Sequence, residues 1–256
     1  MSGPSKPRIV VVMPAYNAAK TLRATVEDLP RDQLADVILV DDASRDGTAD
    51  LAEAMGLAVI RHARNLGYGG NQKTCYREAL ARGADIVIMV HPDHQYDPRQ
   101  VLRLAEPIIR GDCDAAFGSR MLGGRYFEGG MPRWKYVANI LLTAAFNVAT
   151  GRFLSECHSG FRAYSRRYLE AVNYPANSNS FVFDLQILLQ GIDAGMRFHE
   201  LPIDTRYFDE ASQVGVLAGI RYGLSSLAML AAYRLHRWHV WTPKFLRRPA
   251  FQMEIG

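Results

Sequence analysis

Short apolar runs alternate with helically spaced apolar positions through the first half of the chain. The run 8–13, Arg-Ile-Val-Val-Val-Met, is stopped by Pro14 and reads as a buried parallel strand. Leu22, Val26 and Leu29 then recur at helical spacing, and 36–41 is the next strand. Asp46-Gly47-Thr48 opens a second helix, 57–61 is a third strand and 68–82 a third helix. A fourth strand, 84–90, ends at His91-Pro92-Asp93; Pro98 opens a further helix and 114–118 is a fifth strand. Strand and helix alternating at this spacing predict an α/β fold, a mostly parallel sheet with helices on both faces.

The second half is less regular. A broad apolar helix is expected over 134–150, a loop over 156–162, and a helix over 181–194 that carries Asp184. A strand at 197–203 follows, then a long, mostly apolar helical stretch from Val214 to Trp238 and a basic, aromatic tail. The expected division is a main domain over 1–210 and a C-terminal helical appendage over 211–256.

Composition narrows the field. With 22% charged residues the chain is not of the disordered class. A net charge of +4 permits anionic substrates or lipid headgroups but gives no reason to expect nucleic-acid binding. Cys75, Cys113 and Cys157 have no metal-ligand spacing, so a reducing, cytosolic setting is expected. The lead Met1 to Arg8 lacks an apolar signal core, and no run reaches the ~18 apolar residues of a membrane span.

Ligands of such sheets bind outside the carboxyl ends of the strands. Those ends carry Pro14-Ala-Tyr16-Asn17, Asp41-Asp42, Asn65-Leu-Gly67-Tyr-Gly-Gly70, Asp93 and Gly118-Ser-Arg120. Asp41 and Asp42 suit ribose hydroxyls or a base edge, although either alone equally suits a helix cap. Asp46 fits the cap better. Three glycines just before a helix let backbone N–H groups face an anion. The first turn has no glycine, which disfavours a dehydrogenase. One carboxylate, Asp93, suffices in principle for a hard divalent ion shared with a diphosphate.

Pro14-x-Tyr16-Asn17, Asp41-Asp42-x-Ser44-x-Asp46-Gly47-Thr48, Asn65-x-Gly67-x-Gly69, Asp93 with Tyr96-Asp97-Pro98, Gly118-Ser119-Arg120 and Ser159-Gly160-Phe161-Arg162 occur in this order. Together they resemble family 2 glycosyltransferases of the GT-A (Rossmann-like) fold, above all the dolichol-phosphate mannosyltransferase and polyprenyl-phosphate glycosyltransferase branch. The resemblance runs from about Ile9 to about Arg206.

It implies an inverting transfer from a nucleotide diphosphate sugar, UDP before GDP, to a polyprenyl or dolichyl phosphate, with Mg2+ or Mn2+. Pro14, Tyr16, Asn17, Asp42, Asn65 and Gly67 would line the nucleotide pocket, and Asp93 would hold the metal. Arg120, Arg162 and Arg206 would meet phosphate charge. Two departures stand out: His91 replaces the first Asp of the family's Asp-x-Asp, and Glu156 stands for the Asp before Ser-Gly-Phe-Arg. An imidazole is a poorer magnesium ligand than a carboxylate, which shifts the weight to Asp93. A hydroxyl acceptor would need a base, with Glu156 or Asp184 as candidates; a phosphate acceptor, mostly dianionic at neutral pH, needs none.

Residues 222–233 are uncharged, with Arg221 before them and Arg234, Arg237, Trp238, Trp241, Lys244, Arg247 and Arg248 after. This pattern suits a helix lying in a membrane interface, so peripheral attachment to the inner face of the membrane is expected. The other readings of it are a helix docked on the sheet and a homo-oligomer contact. The helix around Ile140, Leu141, Ala144 and Val148 is expected in the core or at the acceptor entrance. Two further functions stay open: a soluble glycosyltransferase acting on a sugar or small molecule, and a non-catalytic nucleotide-sugar-binding protein.

Overall fold

The computed structural model describes residues 6–124, 126–206 and 215–247. The expected boundary at 210/211, and the expected Val214 and Arg248, lie outside these residues. The elements run β1 (Ile9–Ala15), α1 (Ala19–Glu27), β2 (Asp36–Asp41), α2 (Thr48–Ala54), β3 (Ala58–Arg61) and α3 (Tyr68–Ala81). Then come β4 (Ile86–Met89), α4 (Val101–Ile109), β5 (Ala115–Ser119), α5 (Arg120–Gly123) and α6 (Arg133–Thr150). The last are β6 (Arg162–Ser165), α7 (Arg166–Ala171), α8 (Phe183–Asp193), β7 (Phe198–Pro202) and α9 (Val216–Arg237).

Seven strands form one sheet in the order β3-β2-β1-β4-β6-β5-β7. All neighbours are parallel except β6, which runs antiparallel to both β4 and β5. Alternate residues of β1 feed opposite sides. Val10 and Val12 pack with Cys75 and Tyr76 of α3, Phe146 of α6, Phe183 of α8 and Leu230 of α9. Ile9, Val11 and Met13 pack with Leu22 and Val26 of α1, Ala52 of α2 and Leu104 of α4. Period-two alternation in a strand buried on both faces thus builds two cores from one run of valines.

Two expectations are corrected here. The segment read as a loop over 156–162 ends in β6, whose Arg162 sits in register between Met89 and Phe117. An arginine in a central strand interrupts the apolar run by which a buried strand is recognised. The second correction concerns the core alternative for the apolar positions of α6. Its inner side reaches the core through Asn139, Thr143, Phe146 and Ala149, but Ile140, Leu141 and Val148 are exposed, Val148 at 82%.

The C-terminal helix is not detached. Leu230 and Tyr233 of α9 belong to the core beside α6 and α8. Its opposite side, with Leu217, Ile220, Leu224, Leu227 and Leu235, is exposed. The first four recur every three or four residues and Leu235 follows about two turns on, so together they define one outward apolar face, the reverse of an ordinary surface helix. Among the described residues no helix is long and apolar enough to cross a membrane.

Candidate active site

The carboxyl ends of β1, β2 and β4 open into a cavity of about 500 Å³. Its lining includes Pro14 at the end of β1, Tyr16 and Asn17 after it, Asp42 after β2, Asn65 and Gly67 before α3, and His91 and Asp93 after β4. The six pocket residues expected from the resemblance, together with His91 and Asp93, are therefore brought to one place. Their loop is held by motif residues of the β2–α2 turn. Ser44 Oγ accepts from the Asn17 N–H at 2.8 Å, and Asn17 Oδ1 accepts from the Arg45 N–H at 2.9 Å. Asp46 accepts from the N–H groups of Ala19 and Thr48, so it caps α1 and α2 together. Asn17 takes a positive φ of 51°, a conformation asparagine tolerates better than most residues.

The glycine-rich loop differs from expectation. Its N–H groups face the protein's own acceptors: Leu66 N–H and Gly67 N–H donate to Asp42, and Gly69 N–H donates to the Asn179 carbonyl at 2.8 Å. The glycines make room for the 178–179 backbone, because a Cβ on Gly69 would lie 2.3 Å from the Ser178 carbonyl oxygen. Asp42 is buried at 3% exposure, and His62 from the end of β3 also touches its Oδ1, at 2.7 Å. Asp41 lies outside the cavity; its Oδ2 accepts from Ser44 N–H, and its buried Oδ1 has no partner among the described residues.

A second cavity of about 240 Å³ adjoins the first, and Tyr68, Gln95, His158 and Phe181 line both. Its remaining wall includes Arg120 of α5, Trp134, Lys135, Asn139 and Leu142 of α6, Asp184 of α8, and Gly219 and Tyr222 of α9. Arg120 and Lys135 give the wall its cations, and Trp134, Leu142 and Gly219 give α6 and α9 an apolar flank in it. Burial, followed by the charge of Arg120, pulls the Lys135 ammonium below its ordinary pKa.

Glu156 does not line either cavity. It accepts from the Arg120 N–H and guanidinium and from Asn139 Nδ2 at 2.6 Å. Burial alone would raise its carboxyl; the charge and hydrogen bonds of Arg120, with Asn139, outweigh that and set it below the usual range. Arg162 also lies away from both cavities. Its buried guanidinium donates to the carbonyls of Ser159, Asp184 and Cys157 and to Tyr164 Oη, and it lies 5.4 Å from the Phe117 ring. With four donors spent on protein acceptors, it holds the 157–162 loop against α8. Arg206 is exposed outside both cavities, and its N–H ties the chain after β7 to the Gln95 carbonyl at 2.9 Å.

Asp184 accepts from Tyr68 Oη at 2.6 Å and Gln72 Nε2 at 3.1 Å. His158 places Nδ1 2.9 Å from Tyr222 Oη, and burial pushes its pKa down to about 4, so it is neutral near pH 7. Burial raises Asp93, while the charge of His91 works in the opposite sense. Among the described residues no three His, Cys, Asp or Glu side chains group as a metal cage. The donor set present fits a hard ion held by Asp93 and completed by phosphate oxygens and water, rather than an ion held by protein alone. His91 packs edge-on to the Gly160 site, where a Cβ would meet its Nε2 at 2.6 Å.

Sequence reasoning missed His62, Tyr68, Gln95, Lys135, His158 and Glu200. Glu200 of β7 accepts from the N–H groups of Ser155 and Glu156 and so fixes the turn that carries Glu156. Tyr68, Gln95 and His158 lie inside or beside recognised motifs, which was the available signal; His62, Lys135 and Glu200 stand alone in sequence.

Residues 10–172 match the profile of glycosyl transferase family 2, more than half of the chain. The chain belongs to this family. Among its relatives, a UDP-N-acetylglucosamine–dolichyl-phosphate N-acetylglucosaminyltransferase of Methanococcus voltae is 26% identical over 242 residues, covering 86% of this chain and 96% of its own. An undecaprenyl-phosphate mannosyltransferase of Micrococcus luteus is 29% identical over 238 residues, covering 86% and 95%. A glucosyl-3-phosphoglycerate synthase of Mycobacterium tuberculosis, solved with Mn2+, UDP and glucosyl-3-phosphoglycerate, superposes with a TM-score of 0.63 at 18% identity, covering 92% of this chain and 81% of that one. The shared fold is GT-A.

Proposed function

We propose that this glycosyltransferase moves a sugar from a nucleotide diphosphate carrier to the phosphate of a polyprenyl-type lipid at a membrane surface. The observation that carries the reading is the chemistry of the smaller cavity. Among the described residues it has Arg120 and Lys135 in its wall, an apolar flank, and no carboxylate that is both in the wall and unengaged. A hydroxyl acceptor needs a general base there. Glu156 is tied to Arg120, and Asp184 already accepts from Tyr68 and Gln72. A phosphate acceptor brings its own charge and needs none.

The larger cavity would seat the nucleotide between Tyr16, Asn17, Asp42 and Asn65, with the diphosphate toward Asp93. When bound, a magnesium or manganese ion supplies neutralisation of charge on the leaving diphosphate. The shared wall of Tyr68, Gln95, His158 and Phe181 sets where the sugar passes between the cavities and limits water there. Attack from the second cavity, opposite the leaving group, inverts the anomeric carbon. The names of the Methanococcus and Micrococcus relatives, both lipid-phosphate transferases, support the acceptor class.

Attachment to the membrane is supported by the outward apolar faces of α6 and α9. Residues 129–155 and 215–247 hold no Asp or Glu, while Arg133, Arg152, Arg221, Arg234 and Arg237 surround the apolar positions. Cations around an apolar face suit anionic headgroups at a bilayer surface. Given one sugar nucleotide and Mn2+, the protein is expected to glycosylate a short-chain prenyl phosphate and to leave the matching prenyl alcohol and free sugars untouched. Equal transfer to the alcohol or to a free sugar would contradict the reading.

A further inference from the structure

Asp42 has an unequal pair of oxygens. Oδ1 lies 2.8 Å from Leu66 N and 2.7 Å from His62 Nδ1, whereas Oδ2 accepts only the Gly67 N–H, at 3.0 Å. A carboxylate oxygen has two lone pairs, so Oδ1 is filled and Oδ2 keeps one acceptor position. His62 does not reach this position by chance contact. Its Nε2 lies 2.9 Å from Thr74 Oγ1 on α3, so the ring is held at both nitrogens, and its side chain is only 9% exposed. Since the carboxylate has no hydrogen to give, Nδ1 donates to it, and the Thr74 hydroxyl, able to donate or accept, partners Nε2.

We infer that His62, braced by Thr74, makes Asp42 a single-acceptor reader of the nucleobase and selects an imide base such as uracil over guanine. The inference rests on the proposal that the larger cavity holds the nucleotide. Guanine offers adjacent N1–H and N2–H donors, which call for two parallel carboxylate oxygens. Uracil offers one imide N–H between two carbonyls. One open position on Oδ2 satisfies that N–H completely and leaves one guanine donor unpaired in a buried place, which is costly. Asn65 adds to the match. Its Oδ1 accepts from Gly67 N–H at 2.9 Å, which leaves its amide nitrogen as a donor for a base carbonyl.

His62 is a positioning residue, because it acts through Asp42. The test is titration calorimetry of the full chain with UDP and with GDP, Mn2+ being present in both arms. UDP is expected to bind about tenfold or more tightly than GDP, as for sites that discriminate through a buried hydrogen bond. His62→Ala opens Oδ1 and is expected to shrink the ratio several-fold, mostly through tighter GDP binding. Thr74→Val keeps the shape, loosens the ring and is expected to shrink the ratio less. A merely structural role for His62 would weaken both nucleotides alike and leave the ratio unchanged, which overturns the inference. GDP binding as tightly as UDP to the unaltered protein overturns it without any variant, and leaves the proposed transferase standing. Binding of neither nucleotide removes both.

Discussion

At the scale of single residues, the site separates groups that hold the walls from groups that face the cavities. Glu156 and Arg120 show the first kind. The Glu156 side chain is fully buried and that of Arg120 is 13% exposed, so removing the carboxylate leaves a poorly solvated guanidinium. Glu156→Gln is expected to cost about 3 kcal/mol in urea unfolding at pH 7, near the lower end for breaking a buried pair because Arg120 keeps some water. The sign with pH follows from the lowered folded pKa. Its contribution is complete above the unfolded value of 4.5 and is lost as pH falls through the lower folded value. The acid limb of a stability–pH curve should therefore be shallower in the variant. Asp93 shows the second kind. It is a carboxylate in a cavity wall, raised by burial, so Asp93→Asn should lower sugar transfer by about 10²–10³-fold. The melting temperature of that variant, without nucleotide or metal, should not fall. A melting temperature that dropped with the activity would make Asp93 a structural residue. The sequence made Asp42, Asp93 and Arg120 legible because each ends or follows an apolar run. It could not show that Arg162 turns inward. That depends on its register opposite Phe117 and on carbonyls of Cys157, in the preceding loop, and Asp184, in the first turn of α8.

At the scale of elements, α6 and α9 are the unusual ones. Each is anchored by one side in the core, and each presents leucine, isoleucine or valine outward. The small residues Gly219 and Gly223 of α9 let it approach Trp134 and Leu142 of α6, so the two outward faces are adjacent. Burying one leucine is worth about 1.5–3 kcal/mol, so a few on one surface give measurable attachment. The double variant Leu141→Glu, Leu224→Glu changes side chains that are 64% and 65% exposed. It should keep its fold by circular dichroism and its activity on a short-chain prenyl phosphate, while flotation with anionic vesicles falls at least tenfold. Unchanged flotation would assign these faces to something other than lipid. The five early strands and their helices were legible because their periods of two and 3.6 are set by single runs. β6 and α7 were not. β6 is four residues long, carries Arg162 and Tyr164 inward, and exists as a strand only because β4 and β5 flank it. The outward face of α6 was also hidden, since an apolar stripe in sequence does not say whether it meets protein or lipid.

At the scale of the molecule, one sheet places two cavities side by side, with cations in the smaller and a buried carboxylate in the larger. Both ligands together should stabilise the protein beyond either alone. Nucleotide diphosphate with Mn2+ at about 100 times its dissociation constant should add about 2.7 kcal/mol. The central claim is that the acceptor phosphate, and no side chain, supplies the nucleophile's charge. Arg120 holds Glu156 below the usual carboxylate range and burial holds His158 near 4, so neither of these two groups changes charge between pH 5.5 and 8. The most direct measurement is the rate of transfer against pH for a short-chain prenyl phosphate and for the corresponding phosphonate, whose second ionisation lies higher. The rising limb is expected near pH ~6 for the phosphate and displaced upward, by the difference between the two acceptors, for the phosphonate. A limb that stays at one pH for both acceptors would belong to a group of the protein and would contradict the account.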